Sequence, residues 1–130
     1  MIIKSLELKN YRNYASLSIE PSPGTNIFYG DNAQGKTNIL ESVYVCATTK
    51  SHRSSKDKEL IKFDKEDAHI CMQVEKNHVL HKIDMHLKRN KAKGVAVDGI
   101  VIKKYAQLFG VVNVNFYSCV CIHKKTSLLN

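Results

Sequence analysis

The sequence predicts an α/β fold, a mixed β-sheet led by antiparallel N-terminal strands and served by one principal helix. Three observations carry this. Apolar and polar residues alternate over residues 2–19 and again over 68–88, the period of a half-buried strand. A short apolar run at 26–29 enters a glycine loop that opens into helical spacing. Asp98-Gly99 separates Val95-Ala96-Val97 from Ile100-Val101-Ile102, a hairpin signal because a type I′ turn needs positive φ at both central residues.

Taken in order, Ile2, Leu6 and Leu8 share one parity, and Ala15, Leu17 and Ile19 oppose Ser16, Ser18 and Glu20. These are two strands joined at residues 10–13, the second ended by Pro21-Ser22-Pro23-Gly24. Asn26-Ile27-Phe28-Tyr29 suits a buried strand. The helix is expected from near Lys36 to about Ala47, with Ile39, Leu40, Val43, Tyr44 and Ala47 as its apolar stripe. Residues 48–58 are polar and read as a loop. Ala68, Ile70, Met72 and Val74 then alternate with His69, Cys71, Gln73 and Glu75, and Val79, Ile83, Met85 and Leu87 with Leu80, Lys82, Asp84, His86 and Lys88. The two runs should pair as a hairpin turning near Lys76-Asn77. A short helix over 103–109, closed by Gly110, and a strand over 111–117 complete the reading.

The chemistry sits at Gly30-Asp31-Asn32-Ala33-Gln34-Gly35-Lys36-Thr37, the G-x-x-x-x-G-K-[ST] pattern of a Walker A phosphate loop. Strand, glycine loop and helix are the context this motif requires. Gly30 and Gly35 let successive backbone N–H groups turn inward around phosphate oxygens at the positive end of a helix. Lys36 then reaches the β- and γ-phosphates, and the Thr37 hydroxyl ligates a bridging Mg²⁺. A loop that merely ends a strand gives no reason for Lys-Thr at this offset.

Composition fits that reading. The 130 residues are 43% hydrophobic and 25% charged, which excludes fibrous and wholly disordered classes. No apolar run approaches the roughly 20 residues of a bilayer helix, and a charge at Lys4 precedes any secretory core, so a cytoplasmic protein is expected. Cys46, Cys71, Cys119 and Cys121 are too irregularly spaced for a disulfide framework; they read as packing residues. The net charge of +8 favours polyanionic partners without naming one.

Gly94-Val95-Ala96-Val97-Asp98 imitates a Walker B strand, but Gly99 makes a turn simpler. Asn90-Lys91-Ala92-Lys93 ends in the wrong charge for a guanine-reading motif. His86, Lys88, Arg89, Lys91 and Lys93 cluster at an expected hairpin tip, where phosphate contact and a solvated turn are equally good readings of composition alone. His78 and His81, three apart on one strand, should face opposite sides and so not share a metal. Tyr11 and Tyr14 suit core and rim packing better than base stacking.

The combination Leu8-Lys9-Asn10-Tyr11-Arg12-Asn13-Tyr14, the phosphate loop with Asn38-Ile39-Leu40-Glu41-Ser42-Val43-Tyr44, and Lys50-Ser51-His52-Arg53 resembles the N-terminal part of the RecF family of bacterial DNA replication and repair proteins. Val97-Asp98-Gly99 and Leu108-Phe109-Gly110 fit its spacing too, so the likeness covers roughly residues 1–118. It implies an ABC/SMC/RecF-type P-loop NTPase head binding ATP and Mg²⁺, dimerising around nucleotide, binding gapped, single-stranded or duplex DNA, and working with RecO, RecR and RecA in recombination and the SOS response. By the same resemblance Arg12 approaches the nucleotide, and Arg53 belongs to the nucleotide- or DNA-facing surface.

Residues 119–130 depart from that family, which has a proline and acidic residues after the equivalent of Phe116-Tyr117-Ser118. The family's Walker B aspartate, signature motif and catalytic glutamate have no counterpart in the sequence. The expectation is therefore an incomplete head over 1–118 with a divergent tail over 119–130, from a truncated or frame-disrupted gene, binding ATP without hydrolysing it alone. A small P-loop kinase and a poorly folding, non-functional remnant are the alternatives.

Overall fold

The structure is a computed structural model that describes residues 2–24, 26 and 33–109. Among the described residues six strands form one sheet: β1 (Ile2–Tyr11), β2 (Tyr14–Ile19), β3 (Asp67–Lys76), β4 (Val79–Lys88), β5 (Gly94–Val97) and β6 (Ile100–Val101). Their order is β2-β1-β3-β4-β5-β6. Each described pairing is antiparallel. Residues 27–29 of the strand expected over 26–29, and the strand expected over 111–117, with Gly110, Cys119, Cys121 and the tail, lie outside the described residues.

Register explains the core. Leu17, Leu8, Ile70, Met85 and Val95 stand side by side across five strands, and Ile19, Leu6, Met72, Ile83 and Val97 form a second row. Period-two alternation puts every member of both rows on one face. Leu6, Leu8, Ile70, Met72, Ile83 and Met85 are buried.

Helix α1 (Ala33–Thr48) covers that face and contacts β3 and β4. It begins three residues earlier than expected. Its most buried apolar side chains are Val45, Cys46 and Ala47, whereas Val43 and Tyr44 of the expected stripe are half-buried. The difference arises because α1 is covered on more than one side, so Asn38, Glu41 and Ser42 are buried as well. Cys46 and Cys71 are buried free thiols, as packing residues should be. Thr49, at φ 70°, ends the helix and donates its N–H to the Val45 carbonyl at 2.7 Å. A 3-10 turn, Asp57–Leu60, overlaps the end of the loop expected over 48–58, and the helix expected over 103–109 is one turn, α2 (Ala106–Phe109).

Three hairpins set the strand ends. Asp98 and Gly99 have φ of 53° and 82°, the type I′ conformation the sequence required. Asn77 and His78 are both positive as well, at 53° and 65°. His78 therefore occupies the β3–β4 turn and is not on a strand, correcting the expected placement. Near the end of β1 Asn10 adopts φ of 52°, which Asn tolerates, and in the β1–β2 turn Arg12 adopts 51°, a strained choice for a long side chain with a Cβ.

Candidate functional site

Strain at Arg12 has an identifiable cause. Its N–H donates to the Leu60 carbonyl at 2.8 Å, the Asn10 carbonyl accepts from Lys62 N–H at 2.7 Å, and Tyr11 bridges Ile61. The turn is thus tied to residues 60–62, and the Arg12 side chain is delivered over α1. There Nε and Nη2 donate to the two carboxylate oxygens of Glu41 at 2.9 and 2.8 Å, a bidentate pair of the strongest type. Nη2 also donates to Ser54 Oγ at 2.9 Å.

Glu41 receives more than Arg12. The Tyr11 hydroxyl donates to it at 2.6 Å and the Ser51 hydroxyl at 2.6 Å, while Arg53 Nη1 lies 3.8 Å away. The Glu41 side chain has no exposed surface. Burial pushes its carboxyl upward, but Arg12, Ser51 and Tyr11 outweigh burial and hold it below the ordinary range. Burial, then Glu41 itself, pushes the Tyr11 hydroxyl well above its usual value.

One turn earlier on α1, Asn38 accepts from Arg53 Nη1 at 2.8 Å and donates to Asn13 at 2.8 Å. Residues 38 and 41 share a helix face and so hold both the β1–β2 turn and loop 51–54. Asn13, Asn38, Glu41 and Ser51 are contributors that sequence reasoning did not select. Their signal, a Glu four residues past the motif's Thr37 and the neighbouring Asn-Tyr-Arg-Asn, was visible only as part of a resemblance.

The resulting surface is an open groove of about 790 Å³ beside α1. Arg12, Arg53, Lys58, Lys62 and Arg89 line it against one acid, Glu59, with Asn13, Asn38 and the exposed ring of Phe63. Of the phosphate-loop residues, Gly30, Asp31 and Asn32 lie outside the described residues. Ala33, Gln34, Gly35 and Lys36 are described by backbone alone, as the first turn of α1; Thr37 follows, half-buried, and Asn38 opens the groove.

The basic cluster divides. His86 pairs with Asp67 at 2.9 Å; Arg89 donates to the Lys65 and Lys62 carbonyls at 2.5 and 3.3 Å. Lys93 donates to the Thr49 carbonyl and pairs with Asp57 at 2.9 Å. Lys88 and Lys91 stand at the end of β4 and in the β4–β5 link. Tyr11 is buried and Tyr14 half-buried. Asp98 accepts from Lys82 N–H at 2.8 Å and contacts His81 at 2.8 Å, so it caps a turn. Among the described residues no group of three His, Cys, Asp or Glu could hold a metal ion, and no helix is long and apolar enough to cross a membrane.

A sheet carrying one helix that starts inside a G-x-x-x-x-G-K-[ST] loop defines the class: a P-loop nucleotide-binding head. The chain belongs to the AAA domain family, whose model matches residues 5–124. It is 64% identical over 118 residues to the DNA replication and repair protein RecF of Lachnoclostridium phytofermentans, covering 91% of this chain and 33% of that protein. To RecF of Agathobacter rectalis it is 58% identical, with 91% and 33% covered. The chain spans about a third of the length of the curated relatives it matches. Among solved structures, the recombination mediator protein RecF-ATP of the RecFOR pathway superposes with a TM-score of 0.77 at 34% identity, over 83% of this chain and 30% of that one. An SMC ATPase structure superposes at 0.75 with 18% identity, over 85% and 77%, a likeness of fold. The RecF resemblance and the α/β P-loop head read from the sequence are both borne out.

Proposed function

We propose that this chain is the nucleotide-binding portion of a RecF-like DNA replication and repair protein, with residues 1–118 forming part of its ATPase head. The observation that carries this is the start of α1 at Ala33, inside the motif, because the N-terminal end of a helix carries the partial positive charge that favours phosphate. The amides from Asp31 to Gly35 cradle phosphate, and Lys36 supplies the charge on the terminal phosphates. Thr37 offers the hard hydroxyl oxygen suited to Mg²⁺. Arg12 and the basic groove beside Asn38 receive the remaining negative charge of ATP. The solved RecF-ATP neighbour supports ATP as the ligand.

DNA, in gapped, single-stranded or duplex form, is the proposed macromolecular partner, supported by the name of the relatives and the +8 charge. RecO, RecR and RecA, and a nucleotide-dependent dimer, are proposed on the family likeness. Isothermal titration with ATP, with and without Mg²⁺, tests the central reading. Lys36→Ala should weaken binding by about tenfold or more, as loss of a charge-assisted contact does; full affinity in that variant refutes the role given to Lys36.

A further inference from the structure

Glu41 is the most enclosed ionised group among the described residues, and the phosphate chemistry does not call on it. Burying a carboxylate costs several kcal/mol before its partners are counted, so for stability alone an apolar cluster of similar volume serves as well. What the carboxylate adds is direction. Four side chains from two chain segments converge on it: Tyr11 and Arg12 from the end of β1 and the turn that follows it, Ser51 and Arg53 from the loop after α1.

The two arginines are held differently. Arg12 uses Nε and Nη2 on Glu41. Arg53 lies beyond hydrogen-bond range of it at 3.8 Å and, among the described residues, its guanidinium makes one hydrogen bond, through Nη1 to Asn38. A guanidinium carries five donors, so Arg53 keeps donors for an anion while Glu41 fixes where its charge stands. Both line the groove that opens at Asn38, immediately after the motif.

We propose that Glu41 is a positioning residue, whose buried carboxylate holds Arg12 and Arg53 in place at the groove and so sets affinity for the phosphate-bearing nucleotide. This rests on the nucleotide-site reading above. Pre-set cations bind an anion without ordering two long side chains first. An opposing effect exists, since removing a negative charge raises the groove's positive potential; the proposal holds that lost positioning outweighs it.

The test is a double-mutant cycle on the full chain, read by titration with Mg·ATP well below the melting temperature. Glu41→Gln and Arg12→Gln should each weaken ATP by about tenfold, and together by little more than one alone, because groups that act through one another are non-additive. A purely structural Glu41 lowers the melting temperature and leaves that coupling absent. Losses that multiply, or a Glu41→Gln chain that binds ATP as tightly as wild type or more tightly, overturn the proposal. If Glu41→Gln does not fold, Ser51→Ala removes one donor while keeping every charge; it should weaken ATP several-fold, and unchanged affinity overturns the proposal. A wild-type chain that does not bind ATP instead refutes the nucleotide-site reading itself.

Discussion

At Glu41, three hydroxyl and guanidinium groups turn an unfavourable burial into a favourable one, and the consequence is a defined pH response. Its folded-state value lies below the ordinary one, so its contribution to stability is complete above the unfolded value of about 4.3. That contribution is lost as pH falls through the lower folded-state value. Acid titration of the melting temperature should therefore show a decline below about pH 4 that flattens in Glu41→Gln. Tyr11→Phe keeps the ring and removes one donor to a buried carboxylate, a change expected to cost about 1–3 kcal/mol in chemical denaturation. A Tyr11→Phe chain as stable as wild type would mean that Arg12 and Ser51 suffice.

At the scale of elements, the hairpins and the helix end illustrate two kinds of control. Gly99 holds φ 82°, and a Cβ there meets nothing within 4 Å, so Gly99→Ala isolates backbone strain from clash. It should destabilise by about 1 kcal/mol. In the sheet, Met72 is fully buried between Leu6 and Ile83; Met72→Ala should cost about 2–5 kcal/mol through lost contact and a residual cavity. Denaturant melts of both variants check these values, and equal effects would contradict the division between turn and core. Lys93 works differently: from β4–β5 it reaches the carbonyl at the end of α1 and Asp57, fixing the ends of the segment that carries Ser51 and Arg53.

Across the whole molecule, charge is distributed by use. Arg89 and Lys93 hold loops through carbonyls, and Arg12 is bound to Glu41, which leaves Lys88 and Lys91 as the better candidates for DNA phosphates. Replacing both with Gln should reduce the slope of log affinity against log salt by about 1–2 without altering sequence preference. An unchanged slope in a salt series removes this corner from the DNA surface.

Local rules made much of this legible beforehand. Alternation fixed which residues of β1, β3 and β4 face inward, since a one-residue slip would expose every one of them. Asp-Gly marked the β5–β6 turn, and the glycine-Lys-Thr spacing marked the phosphate loop. The helix face was less legible: period alone favoured Val43 and Tyr44, because nothing local states that Asn38, Glu41 and Ser42 will be enclosed by other segments. His78 was misplaced for a related reason, as the β3–β4 register, not its own residue type, put it in the turn.

By itself, then, the sequence determined the strand parity, the tight turns and the G-x-x-x-x-G-K-[ST] spacing, each written within a few neighbouring residues. Only the tertiary structure decided that Tyr11, Arg12, Asn38, Glu41, Ser51 and Arg53 form one network, because the hydrogen bonds that converge on Glu41 join residues 10 to 30 positions apart and form only when the β1–β2 turn and the post-helix loop close over α1.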